Sequence, residues 1–135
     1  MNGASHLPKP LLYLMVAYAV ASLVHFAHNA EFLADYPNMP AWLSSAKVYL
    51  AWLGVTAVGV FGYLLVRRGF WRAGLFVIGV YAALGFDGLA HYGFAPMAAH
   101  TATMNFTIWL EVAMAALLLI ATAGVMATRA GDKRS

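Results

Sequence analysis

The 135-residue sequence contains no cysteine and very little charge. The first absence excludes a disulfide scaffold, a thiolate metal site and a cysteine nucleophile. The second is more restrictive: only 10% of the residues are charged, 8 basic and 5 acidic, against about 25% in soluble globular proteins. So few charged side chains cannot cover the surface of a water-soluble domain. What fills the chain instead is apolar: 63% of it, with a mean hydropathy of +0.74. The composition predicts an all-α integral membrane protein whose principal partner is the lipid bilayer. The formal net charge of +3 calls for no nucleic acid, because topology accounts for its distribution.

Four apolar segments, residues 10–34, 45–66, 70–92 and 98–128, are each about 20 residues or longer, enough to cross a hydrocarbon core of about 30 Å. The breaks between them have physical causes. The stretch from Asp35 to Pro40 holds Pro37, Pro40 and the turn-former Asn38. Arg67, Arg68 and Gly69 form a short cationic turn, and Gly93 with Pro96 ends the third segment. With no repeat, low-complexity tract or long linker, the expectation for residues 1–135 is one domain, a four-transmembrane-helix bundle. Lys9 followed by residues 11–24, with Ala19-x-Ala21, has the pattern of a secretory signal. The apolar run continues through Phe26, however, which favours a true span.

Positive charge is one-sided. In a four-span arrangement Lys9, Arg67, Arg68, Arg72, Arg129, Lys133 and Arg134 fall on one side and only Lys47 on the other. The positive-inside rule then predicts both termini in the cytoplasm and a multi-pass protein of the inner (plasma) membrane. Glycines on the second and third segments, Gly54, Gly59, Gly62, Gly74, Gly79, Gly85 and Gly88, read as close packing within the bundle ahead of a dimer face, although a homo-oligomer is compatible with them.

The acids and histidines go the opposite way. His25, His28, Glu31, Asp35, Asp87, His91, His100 and Glu111 all map between mid-membrane and the outer face. An ionisable side chain at the centre of a span costs about 2.5–3.5 kcal/mol, so each is a functional candidate. Helical phase suggests convergence. His25, His28 and Glu31 advance by about 60° per step on the first helix. Asp87 and His91 are four apart on the third, and His100, Met104, Thr107 and Glu111 share a face of the fourth. His25 and Glu111 come out roughly 16 Å below the outer rim, Asp87 and His28 above them, and Glu31, His91 and His100 near it.

Imidazole with carboxylate is the ligand set of zinc, iron and manganese sites, and helical bundles build such sites from inward-facing His and Glu. The expected metal ligands are His25, His28, Asp87, His91 and Glu111, with Glu31 and His100 as outer candidates. Zinc or iron is favoured over copper, for which Met39, Met97 and Met104 are the thioether candidates. Glu111 and Asp87 are the candidate acid/base groups of a catalytic site acting on an apolar or lipid-like small molecule. Two alternatives stand beside this. Haem b would use two histidines at equal depth, His25 or His28 with His91 or His100. A metal-free site would be a proton- or ion-coupled pathway or a small-molecule pocket; the polar stripe covers only the outer half, short of a complete path. The outer loop from Tyr36 to Trp42 suits either a cap over the site or a plain turn.

Overall fold

The computed structural model describes residues 6–131, so Asp132, Lys133 and Arg134 lie outside the described residues. Among those residues every regular element is helical. Helix α1 spans Lys9–Glu31, α2 Ser45–Arg67 and α3 Trp71–Leu84. The third span then tightens into a 3₁₀ segment, Gly85–Ala90, and ends in the single turn α4, His91–Phe94. Helix α5 spans Ala102–Gly131. Four stretches are long and apolar enough to cross a membrane: Lys9–Glu31, Ser45–Arg67, Trp71–Phe94 and Ala102–Ala130.

Local chemistry sets these boundaries. Pro8 and Pro10 sit at the start of α1, where a missing N–H costs nothing. Ser44 caps α2 by accepting from Lys47 N. Gly69 ends α2 at φ 89° with Gly69 N bonded to Val66 O and Phe70 N to Leu65 O, the Schellman pairing that a left-handed glycine permits. The first span stops at Glu31, three residues short of the expected end, because residues 33–35 turn as a 3₁₀ helix. The fourth begins at Ala102 rather than residue 98: Met97–Ala99 is a 3₁₀ turn and His100 is extended.

The helices pack in cyclic order α1–α2–α3–α5. One end of the bundle carries the histidines, the other the arginines. At the arginine end the core is apolar, built from Leu11, Met15, Val66, Leu75, Ile78 and Leu118, and Arg129 lies 3.5 Å from the Trp71 ring centroid. Glycines let α2 and α3 touch along their backbones there. A side-chain carbon on Gly74 would stand 2.8 Å from both Gly62 O and Val66 N. At the histidine end the third span leaves α2. Its 3₁₀ segment packs mainly on α5, and a side-chain carbon on Gly85 would meet Ala115 Cβ at 2.5 Å and Tyr18 OH at 2.7 Å. This departure opens a cleft between α2 and the third span.

Candidate functional site: a polar pocket at the histidine end

The buried face of α1 reads Leu11, Met15, Tyr18, Ser22, His25, Asn29, alternating steps of four and three that keep one side of a helix inward. It turns polar from Ser22 onward. Opposite it, α5 buries Met104, Thr107, Ile108 and Glu111. His25 Nδ1 meets Thr107 Oγ1 at 3.3 Å, and Thr107 itself donates to Met104 O at 3.0 Å. With the hydroxyl proton committed, Nδ1–H of His25 is the donor, and its Nε2 lone pair faces Glu111 Oε2 at 3.7 Å. Two acceptors oppose one another across that gap. A proton on either, or a donor between them, completes the pair.

His91 from α4 closes the group. Its ring stands edge-on to His25 at 5.3 Å between centroids, and Nε2 pairs with Asn29 Nδ2 at 2.9 Å. That bond leaves His91 Nδ1 and Asn29 Oδ1 buried with no partner among the described residues. Whichever way the Asn29 amide is turned, one donor and one acceptor stay free.

The expected joint ligand set divides into separate contacts, each for a geometric reason. Two i, i+3 steps carry Glu31 about 120° from His25, and Glu31 is exposed, accepting from Tyr49 OH at 2.7 Å. His28 lies half-buried off the inward face and meets Tyr36 OH at 2.9 Å. Asp87 and His91 would share a face of an α-helix. In a 3₁₀ segment of three residues per turn they diverge by about 120°, so His91 is buried and Asp87 exposed. His100 is buried but precedes α5, its Nδ1–H donating to Pro96 O at 3.1 Å and its Nε2 unpartnered among the described residues. His25, His91 and Glu111 are brought together. Among the described residues no three His, Asp or Glu side chains are grouped as one metal ion would require.

The cleft beside α2 forms a cavity of about 330 Å³. Its polar wall is His25, Asn29, Asp87 and His91, drawn from α1 and the third span. Its apolar wall is Phe26, Val48, Ala51 and Phe94 on the helices, closed by Met39, Pro40, Trp42 and Leu43 of the loop. The loop therefore lies over the cavity as a cap. Asn38, at φ 58°, holds it there by donating from Nδ2 to Phe94 O at 3.0 Å. Gly88 completes the wall, and a side-chain carbon there would stand 3.2 Å from Glu111 Oε2 and 3.8 Å from His25 Nε2. Glu111 thus lies directly behind Gly88 and does not itself line the cavity.

Comparisons with known protein families, with curated proteins and with solved structures found no match. Sequence reasoning undervalued Asn29, Ser22 and Tyr36. Ser22 and Asn29 lie three before and four after His25 on the buried face, a signal available from spacing alone. Tyr36 carried none, since its burial depends on how the loop folds back.

Proposed function

We propose that this is a multi-pass protein of the inner (plasma) membrane, with both termini cytoplasmic, that binds a small amphiphilic molecule in the cavity at its histidine end. The polar head would sit on Asn29, His91 and His25 and the apolar body against the cap and α2. One observation carries the reading: a cavity of about 330 Å³, mostly apolar, whose wall includes two buried residues, Asn29 and His91, that each hold a polar atom without a partner among the described residues, Asn29 Oδ1 and His91 Nδ1. Buried polar atoms cost free energy until something pairs with them, and a largely apolar cleft with a few convergent polar groups is the usual form of a small-molecule site. At roughly 30 Å³ for a water-sized group, the space suits on the order of ten non-hydrogen atoms. Behind the wall, His25 and Glu111 form an acid/base couple that a proton transfer on the bound head would use.

The metal reading comes second. In its favour, His25 Nε2 and Glu111 Oε2 face each other at 3.7 Å, with His25 oriented by Thr107 as a histidine ligand is oriented by its outer partner. Two ligands are fewer than the three protein ligands usual even in open catalytic zinc sites. Haem between His25 and His91 is disfavoured by the edge-on contact of their rings.

The test is extraction of the protein in polymer-bounded membrane discs followed by mass spectrometry of the small molecules that come with it. We expect one amphiphile at about one per chain, absent when Ala51→Trp fills the mouth. Identical spectra from both proteins would contradict the reading. About one zinc or iron per chain, lost in His25→Ala, would put the metal site in its place.

A further inference from the structure

The pocket's charge and the position of its mouth define the class of molecule it takes. This rests on the reading of the cavity as a ligand site. Besides Trp42 of the loop and Phe94 at the end of α4, three residues that line it are exposed, Ala51 on α2 and Asp87 and Ala90 on the third span. They face each other across the cleft left where the 3₁₀ segment turns toward α5, so the mouth opens on the side of the bundle rather than only at its end. In a membrane-spanning bundle that side meets lipid, and a molecule dissolved in the bilayer reaches the cavity sideways.

Asp87 stands at this mouth. It has no hydrogen bond or ion pair among the described residues, and no lysine or arginine lines the cavity. Lys47, the one lysine or arginine at the histidine end among the described residues, is engaged elsewhere: its Nζ donates to Trp42 O at 2.8 Å and lies 5.4 Å from the Trp42 ring centroid. A carboxylate facing hydrocarbon is costly unless a cation or donor meets it. Further in, Asn29, 6% exposed, and His91 line the cavity, and whichever way the amide is turned the pair keeps one acceptor without a partner among the described residues. An anionic head, phosphate or carboxylate, finds no cation here and meets Asp87 as a like charge. An ammonium head finds a counter-charge and an acceptor. We infer that the occupant is a lipophilic amine, drawn from the bilayer through the cleft between α2 and the third span, its ammonium held by Asp87 and Asn29 and its chain under the cap.

The experiment uses the full chain in nanodiscs and three bromine-tagged probes of equal length, ω-bromononylamine, ω-bromononanol and ω-bromononanoate. Bromine quenches nearby tryptophan, and Trp42 on the cavity wall is the reporter, isolated by subtracting the same titration of Trp42→Phe. The amine should saturate the Trp42 signal at a concentration at least about ten times lower than the alcohol, and the carboxylate should not saturate it. Asp87→Asn should erase the difference between amine and alcohol, and Asp87→Glu should keep it. Equal saturation by amine and alcohol in the unmodified protein, or a preference that survives Asp87→Asn, would overturn the amine assignment while leaving the pocket intact. If no probe saturates the Trp42 signal, the pocket reading falls and the amine assignment with it.

Discussion

Tyr36 belongs to a loop, yet its ring is 3% exposed, wedged between His28 and His91. Burial pushes its hydroxyl up from 10.0 to about 12. The folded value lies above the unfolded one, so the associated stability is intact below pH about 10 and is lost as pH rises through about 12. A phenolate absorbance titration, taken as the difference between the protein and Tyr36→Phe, should therefore show a step near 12; a step near 10 would mean that the loop does not bury this ring. The same scale shows how far the sequence could be read. The stripe Met104, Thr107, Glu111 was legible because all three lie inside one regular helix and all three are buried. On α1 the ionisable residues His25, His28 and Glu31 draw the eye, but they drift round the helix. The face that is buried runs Tyr18, Ser22, His25, Asn29, whose neutral members give no charge signal. Residue type pointed to His28, whereas periodicity pointed to Asn29.

The third span decides where the pocket lies. Over Trp71–Leu84 it is a regular helix clamped to α2 through Gly62 and Gly74. Over Gly85–Ala90 it is 3₁₀, drawn to α5 by the two glycines that let Tyr18, Ala115 and Glu111 come close. The four long segments could be read from length and hydropathy, and their ends from proline, glycine and Ser44. The 3₁₀ turn could not, because Gly85 and Gly88 carry the same letter whether they permit packing or permit a change of helix. Asp87 was misplaced for that reason. The clamp makes a direct prediction. Gly74→Ala must push against the backbone of α2 at 2.8 Å and should destabilise by about 1–3 kcal/mol, as overpacking does. Gly54→Ala, with nothing within 4 Å, should change stability by no more than about 1 kcal/mol, in the stabilising direction. Thermal unfolding followed by circular dichroism in one detergent compares them. Equal melting of the two variants would contradict the close approach.

At the scale of the molecule, scarcity of charge organises the bundle. Four long apolar helices leave room for few ionisable groups, and the described ones separate by type. Arg67, Arg68, Arg72 and Arg129 gather at one end, around an apolar core. His25, His91, His100 and Glu111 are buried at the other, around a cavity. Glu31 and Asp35, at the same end, are exposed and take no part in it. The sequence made this polarity plain but implied one site of seven ligands, where the fold makes a pocket with three ionisable residues in its wall and Glu111 behind it. A crystal structure grown from a lipid mesophase, with the protein purified from its own membrane, tests the account most directly. Ordered non-protein density is expected in the cavity under Met39 and Trp42, within hydrogen-bonding distance of Asn29 Oδ1 and His91 Nδ1. A cavity closed by its own side chains, with those two atoms paired to protein, would contradict it.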